Sequence, residues 1–175
     1  RLFKRRLGLT RSVVVAPNGF GTDNSCLLDA LAAFGDEARG VVIIGPEADD
    51  GLLSELAASG VRGIRLYLVK GTPLPPEGLL RLGSRIADRG LHIQIMASTV
   101  DKVIEYEPAL ARLPCPVVLD HIAYIPQPDS SGHPGAETVR RLVGLGHVWL
   151  KLSGVYFTSQ TGFPDYSDVD DLAAD

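Results

Sequence analysis

Hydrophobic and polar residues alternate along three segments of the chain. In residues 61–68 the apolar positions share one side of a predicted strand, because successive side chains of a strand point to opposite sides. That side carries Ile64, Leu66 and Leu68, and the other side carries Arg65 and Tyr67. Segments 91–97 and 147–153 repeat the pattern, with Gln94 and Lys151 on their polar sides. These strands predict a sheet with one apolar face and one polar, concave face, which is typical of a barrel with a site inside.

The same patterns predict six strands that alternate with helices. The strands are expected at residues 12–16, 41–44, 61–68, 91–97, 117–121 and 147–153. Helices are expected at residues 1–7, from 23 or 24 to 34, at 48–59, from 76 to a glycine cap at 90, at 101–113, at 135–146, and from about 166 onward. Strands and helices that alternate at this spacing form βα units around a parallel sheet.

Six βα units are compatible with an open, doubly wound sheet or with part of a closed barrel. An open sheet covered by helices on both sides has strands that are apolar on both faces. Here Arg65, Gln94, Lys151 and His121 project to one side, which favours the barrel. A complete eight-unit barrel needs about 250 residues, and the chain has 175. We therefore predict an α/β fold, a single domain over residues 1–175 that forms a partial TIM barrel of about six units.

Composition excludes several classes of function. The net charge of −4 gives no electrostatic footprint for nucleic acid. No apolar run approaches the roughly 18 residues that a membrane helix needs, and residues 1–9 lack the apolar core of a signal peptide. Cys26 and Cys115 lie too far apart in sequence to indicate a metal knuckle or a redox pair. A reduced, cytoplasmic protein is the simplest interpretation.

Four motifs lie at the predicted strand ends. They are Gly21-Thr22-Asp23-Asn24, Val61-Arg62-Gly63-Ile64-Arg65, Val118-Leu119-Asp120-His121 and Trp149-Leu150-Lys151-Leu152-Ser153-Gly154. In this order and spacing the chain resembles the amidohydrolase-related hydrolases, in the branch of the 2-pyrone-4,6-dicarboxylate lactonases, over essentially its whole length. The resemblance implies that the six strands correspond to barrel strands two to seven.

The resemblance also implies a reaction and two missing parts. Family members hydrolyse a lactone with water, using an aspartate on the eighth strand as general base, and they carry a His-x-His pair on the first strand. Residues 1–175 contain neither motif. One hypothesis is therefore a hydrolase of lactones or related cyclic carboxylic acids. The alternative is a non-catalytic or truncated barrel fragment, whose two open sheet edges would pair, dimerise or aggregate unless something covers them.

His121 and Arg65 are the leading candidate site residues. His121 ends a strand and precedes a long loop, which is where barrel enzymes place catalytic groups. It is expected to polarise a carbonyl or to bind a metal, against the alternative of a core histidine bonded to a backbone carbonyl. By resemblance Arg65 is the carboxylate-binding arginine, against the alternative of an internal ion pair. By resemblance Lys70 supplies a second positive charge, and Asp120 is expected to point away from the site.

Four further residues are assigned to substrate binding, each beside a structural alternative. Asn18 lies in a glycine-rich loop and either donates to a substrate oxygen or shapes a turn. Lys151 either contacts the ligand or balances a carboxylate. Tyr67 and Tyr156 either line the pocket or pack at strand ends. His92 and His147 begin their strands and are expected at the bottom of the barrel, where residues serve stability.

Cofactor and substrate follow from the resemblance. Superfamily relatives hold a divalent ion such as zinc or manganese with the sixth-strand histidine, whereas the lactonase branch is expected to work without one, so the metal is left open. The lactonases carry an arginine where this chain has residues 155–158, and a tyrosine near Met96. The loss of a cation and a hydroxyl predicts a less anionic small-molecule carboxylic acid or lactone as partner.

A third hypothesis, an aldolase-type barrel, requires a glycine-rich phosphate loop near the last strands, which the sequence lacks.

Overall fold

A six-stranded parallel sheet forms the centre of the computed structural model, which describes residues 2–69, 74–128 and 130–174. The strands are β1 (Ser12–Val15), β2 (Ala38–Val42), β3 (Val61–Leu68), β4 (His92–Ala97), β5 (Val117–Leu119) and β6 (Val148–Leu150). Each strand pairs in parallel with the next one in sequence, in the order β1 to β6. A doubly wound sheet reverses its strand order at a switch point. The unbroken order therefore confirms a segment of an α/β barrel.

Seven α-helices are described along the chain. They are α1 (Leu2–Arg6), α2 (Ser25–Phe34), α3 (Asp50–Ala58), α4 (Pro76–Ile86), α5 (Val100–Leu110), α6 (Pro134–Gly144) and α7 (Asp170–Ala174). Local chemistry starts several of them. The Asp49 carboxylate accepts a hydrogen bond from the Leu52 backbone N–H at 2.8 Å and caps α3, and Pro76 occupies the first turn of α4. No helix in these ranges is long and apolar enough to cross a membrane.

The two faces of the sheet differ as the alternating pattern predicts. Residues that pair across parallel strands share a face, and one such row carries Ile64, Ile93, Val117 and Val148, all buried. Helices cover this face, and Leu110 of α5 and Leu142 of α6 are buried in the same core. The next row, on the opposite face, carries Arg65, Gln94, Val118 and Trp149. Because the helices pack on the apolar face, the polar face points toward the inside of the barrel.

Strand bounds differ most from the sequence predictions at β2 and β6, and they also differ at β5. The prediction of 41–44 for β2 is shifted, because Asn24 replaces the ladder after Val42: its side chain donates to the Ile43 carbonyl at 2.7 Å and accepts from the Ile43 N–H at 3.2 Å. The predicted strand 117–121 ends at Leu119, because His121 begins a left-handed turn at φ 56°. Strand β6 ends at Leu150 instead of 153, so all three strands end earlier at the carboxyl edge than predicted, and β2 also begins earlier, at Ala38.

We expect the helix-facing row to dominate stability. Leu119 is fully buried between sheet and helices, so Leu119→Ala should lower the free energy of unfolding by about 2–5 kcal/mol through lost burial and the cavity it leaves. Leu52 is 41% exposed on α3, and Leu52→Ala is the matched control, with an expected loss below about 1 kcal/mol. Urea denaturation of both variants measures the difference. Equal losses would contradict the placement of the core.

Candidate functional site

Polar side chains from four neighbouring strands meet on the concave face near the carboxyl edge of the sheet. β3 contributes Arg65, β4 contributes Gln94, the residue after β5 is Asp120 and the residue after β6 is Lys151. The carboxyl ends of parallel barrel strands form the face on which barrel enzymes build their sites. The fold therefore gathers these four groups where a ligand could reach them.

Asp120 is the centre of this cluster. Its carboxylate has no exposed surface and accepts from Arg65 Nη2 at 3.2 Å, from Gln94 Nε2 at 2.9 Å and from Lys151 Nζ at 3.1 Å. The expectation that Asp120 points away from the site is wrong. Val117 and Leu119 face the helices, so alternation puts Asp120 on the same face as Gln94 and Lys151. The alternation of side chains along this strand was therefore the signal in the sequence that indicates the inward orientation of Asp120.

Arg65 is held by protein groups on several sides. Nη1 donates to the Ala16 carbonyl at 3.1 Å, and Nη2 contacts Met96 Sδ at 3.4 Å in addition to Asp120. The guanidinium lies 5.0 Å from the centre of the Tyr67 ring. Nε is buried and has no hydrogen-bond partner. The internal ion pair weighed for Arg65 is therefore present, and its role as a carboxylate clamp stays a prediction.

Lys151 is the more accessible of the two cations around Asp120. Its side chain is 39% exposed, against 12% for Arg65. Lys151 balances the Asp120 carboxylate, which was the structural alternative for it, while part of its side chain stays exposed to solvent. Two cations and one carboxylate leave a single net positive charge at this point of the face. The arrangement can attract an anion without burying an unpaired charge.

His121 lies beside the cluster on a strained turn. His121, Ile122, Ala123 and Tyr124 all have positive φ angles, between 47° and 56°, a conformation that costs about 1–2 kcal/mol for each non-glycine residue. Buried Ile122 and Ala123 anchor the turn, and the Ile122 N–H donates to the Lys151 carbonyl at 3.0 Å. Strain of this kind persists where the surrounding structure holds it.

The His121 ring is fixed by the residues that follow β6. Its Nδ1 lies 3.1 Å from Ser153 Oγ, and the ring packs on Gly154, where an added Cβ would lie 2.5 Å from Nδ1. Burial lowers the pKa of His121, and the nearby cations Lys151 and Arg65 lower it further against the opposing effect of Asp120. The imidazole is therefore neutral near pH 7. Neither Ser153 nor Gly154 was singled out from the sequence.

An aromatic group borders His121. The Phe157 ring centre lies 5.2 Å from that of His121, 5.3 Å from that of Tyr124 and 4.5 Å from that of Tyr156. Tyr156 is 62% exposed. Tyr156 therefore packs on Phe157 and keeps an exposed face. Tyr124 and Phe157 were missed, because aromatic residues in loops carry no periodic signal.

The remaining predicted binding residues divide into two groups. Tyr67 lies beside Arg65, and burial raises the pKa of its phenol, against a hydrogen bond with the backbone of Asn18. The Asn18 side chain is exposed and the residue opens a short 3₁₀ helix, Asn18–Phe20, in agreement with the turn alternative. Lys70 lies outside the described residues.

The described residues do not assemble a metal site. None of residues 2–69, 74–128 and 130–174 forms a group of three or more histidine, cysteine, aspartate or glutamate side chains suited to an ion. Both Asp120 oxygens are already occupied by cations and Gln94. Among the described residues of this cluster, His121 offers one ring nitrogen, and a zinc site needs at least three protein ligands.

Removing the charge of Asp120 should destabilise the fold. Asp120→Asn leaves the largely buried Arg65 without its carboxylate, and breaking a buried pair in this way costs about 3–5 kcal/mol. Asp88 is exposed on the surface, and Asp88→Asn should change the free energy of unfolding by less than about 0.5 kcal/mol. Denaturant unfolding of both variants measures this. An unchanged free energy of unfolding in Asp120→Asn would show that the cluster does not stabilise the fold.

A second histidine makes stability depend on pH. His92 packs on Gly63, where an added Cβ would lie 2.4 Å from Nε2, and burial lowers the pKa of His92. Unfolded His92 takes up a proton below its ordinary pKa of about 6.5, whereas folded His92 stays neutral to lower pH. The unfolded state then binds more protons, so the free energy of unfolding falls as pH drops through that window. His92→Gln should show a smaller fall between about pH 7.5 and pH 5.5 in denaturation experiments, and an unchanged fall would contradict the assignment.

His147 has the structural role that was predicted for it. Its Nε2 lies 3.1 Å from the Leu110 carbonyl, at the end of α5. The ring thus adds to the weak hydrogen bond that this carbonyl, at the end of the helix, accepts from the Leu113 N–H at 3.4 Å. The histidines at the amino ends of β4 and β6 are therefore both held by packing or backbone contacts.

Comparison with known proteins gives related sequences over nearly all of the chain. A 2-pyrone-4,6-dicarboxylate hydrolase from Comamonas testosteroni is 33% identical over 162 residues, which cover 89% of this chain and 52% of that protein. A 4-sulfomuconolactone hydrolase from Hydrogenophaga intermedia is 28% identical, over 95% of this chain and 55% of that protein. The chain thus spans about half the length of the curated relatives it matches.

A solved structure and a family model also match nearly all of the chain. The crystal structure of a candidate 2-pyrone-4,6-dicarboxylic acid hydrolase from Pseudomonas putida superposes with a TM-score of 0.82 at 32% identity, over 97% of this chain and 63% of that one. The family model described as amidohydrolase matches residues 4–174. With the barrel topology and the matched length, the chain belongs to the amidohydrolase family.

Proposed function

We propose that the protein is a hydrolase that adds water to a lactone, or a related cyclic acid, bearing an anionic group. The observation that carries the proposal is the Arg65–Asp120–Lys151 cluster beside the neutral imidazole of His121. Two relatives are named as hydrolases of a pyrone dicarboxylate and of a sulfomuconolactone, which are anionic rings. The cluster and the relatives support the same substrate class.

The roles follow from exposure and charge. Lys151 is the accessible cation and binds the anionic group of the substrate. Arg65 lies behind it and holds Asp120 in place, with part of its donor capacity left for the ligand. His121 polarises the carbonyl that water attacks. A preorganised donor of this kind stabilises the charge that develops on the carbonyl oxygen.

We infer that the substrate carries fewer negative charges than a pyrone dicarboxylate. The segment after Gly154 holds the short 3₁₀ helix Val155–Phe157 where the lactonase pattern has an arginine, and Met96 contacts Arg65 where it has a tyrosine. One net positive charge suits one anionic group. Equal turnover of 2-pyrone-4,6-dicarboxylate and of lactones with one carboxylate by the full-length protein would contradict this inference.

A divalent zinc or manganese ion stays a prediction of the family resemblance. Of the described residues at the cluster, His121 is the one whose ring nitrogen is available to bind such an ion. A cytoplasmic location is supported by the two cysteines, both of which are free.

The alternative, a non-catalytic chain that associates through its sheet edges, also has an observation in its favour. Val13 on β1 and Trp149 on β6 are each 64% exposed. Open edges of this kind favour pairing with another chain. A 175-residue chain that forms homo-oligomers and hydrolyses no lactone would support this alternative.

Lys151→Met tests the proposed function. The variant keeps the length of the side chain and removes its charge, so KM for a lactone with one carboxylate should rise about tenfold or more while KM for a neutral lactone stays unchanged. Lys102 lies on the surface of α5, paired with Glu105, and Lys102→Met is the matched control, with unchanged kinetics. Steady-state kinetics of the full-length protein measure both. An equal effect on charged and neutral substrates would contradict the role of Lys151.

A further inference from the structure

We propose that Asp168 is a positioning residue that holds the Phe157 ring beside His121. Its carboxylate binds the segment that directly follows Phe157, and this contact fixes the place of the ring at the edge of the candidate site. The consequence for lactone hydrolysis rests on the proposed function, whereas the placement of the ring does not.

The Asp168 carboxylate accepts hydrogen bonds from three residues that follow Phe157. Oδ1 lies 2.6 Å from Ser159 Oγ and 2.9 Å from Thr161 Oγ1. Oδ2 lies 2.6 Å from the Gln160 backbone nitrogen and 3.4 Å from the Thr161 backbone nitrogen. Both oxygens of one side chain therefore close the loop of residues 159–168.

The ionised state of Asp168 fixes the direction of these hydrogen bonds. Burial acts to raise the pKa of Asp168, but the hydrogen bonds from Ser159, Gln160 and Thr161 lower it to about 2. An ionised carboxylate only accepts hydrogen bonds, so both hydroxyls donate to it. Hydrogen bonds to a charged acceptor are stronger than those between neutral groups. The loop is therefore closed by a strong set of contacts.

Asp168 is itself anchored to the core. Val169, the next residue, packs against the buried core, and Leu172 of α7 is part of that core. Between the two ends of the loop, the Tyr166 N–H donates to the Gly162 carbonyl at 3.0 Å. Burial of the residues after it thus holds Asp168 in place, and the carboxylate transmits this constraint to the segment after Phe157.

Burial alone does not hold Phe157, which is 48% exposed. Its place depends on the short 3₁₀ helix Val155–Phe157. The Ser159 N–H donates to the Val155 carbonyl at 2.9 Å, and the Ser159 hydroxyl donates to Asp168. Ser159 therefore connects the turn that carries Phe157 to the anchored carboxylate.

The Phe157 ring covers part of the His121 imidazole. The two ring centres lie 5.2 Å apart, and Tyr124 stacks on the other part of Phe157. An apolar ring at this place excludes water beside the imidazole, and a hydrogen-bond donor stabilises developing charge more strongly where water is excluded. Asp168 thus acts on the site through Ser159 and Phe157, without contact to the substrate.

NMR spectra of the full-length protein test the placement of the ring. An aromatic ring shifts the resonances of nearby protons, so Phe157→Leu gives the His121 ring-proton signals that are expected when the Phe157 ring is absent. Asp168→Ala should move these signals at least half of the way toward their Phe157→Leu positions. Asp168→Asn keeps an acceptor oxygen for the Gln160 N–H, so its His121 signals should stay closer to those of the wild type.

Asp165→Ala is the matched control. Asp165 is exposed in the same loop and its carboxylate has no partner among the described residues, so the His121 signals should equal those of the wild type. If Asp168→Ala does not fold, Ser159→Ala removes one of the donors and should give a smaller shift in the same direction. Unchanged His121 signals in the folded Asp168 or Ser159 variant, or equal shifts in Asp165→Ala, would overturn the proposal.

Kinetics form the second arm of the test. Asp168→Ala and Phe157→Leu should each lower kcat for the lactone about tenfold with little change in KM, because displaced groups at a site slow the chemical step. Asp168→Asn should restore most of kcat. Loss of kcat without a shift of the His121 signals would contradict a role through Phe157. If the full-length protein hydrolyses no lactone, the proposed function fails, but the NMR result still decides whether Asp168 positions the ring.

Discussion

The buried carboxylate of Asp120 constrains everything around it. A charge with no exposed surface is stable in a protein only when it is paired and hydrogen-bonded, and Asp120 meets this condition through Arg65, Gln94 and Lys151. Those partners come from three different strands, so the cluster exists only while β3, β4, β5 and β6 keep their register. The polar interior of the barrel and the order of its strands are thus two aspects of one arrangement.

His121 depends on the same register. It follows Asp120 directly, and the left-handed turn that places it is fixed by the buried Ile122 and by the Lys151 carbonyl. Ser153 and Gly154 reach it from the next strand. Two neighbouring strand ends therefore build the ring's surroundings, as expected of a parallel barrel, in which adjacent carboxyl ends lie side by side. Burial and the nearby cations Lys151 and Arg65 lower the pKa of His121 and keep the imidazole neutral.

Charge balance connects the cluster to the proposed substrate class. The proposal assigns the surplus of one positive charge to an anionic group of the substrate, and it gives that contact to Lys151 because its side chain is the more exposed of the two cations. The amidohydrolase family supplies the fold, and its relatives in the comparison are about twice as long as this chain. The charged cluster lies in these 175 residues, while its part in binding and the chemistry of the complete protein belong to the proposal.

The sequence by itself determined the elements, their order and the two faces of the sheet. Alternation in 61–68 and 91–97 predicted β3 and β4 and placed Arg65 and Gln94 inside, because period-two patterning records which side is buried. It failed for Asp120, since the predicted strand 117–121 was given the wrong inward residue and the left-handed turn at His121 has no periodic signal. Only the tertiary structure decided which groups neutralise Asp120 and that Ser153 and Gly154 hold His121. These contacts join residues about 26 to 55 positions apart, and their geometry depends on strand register rather than on local pattern.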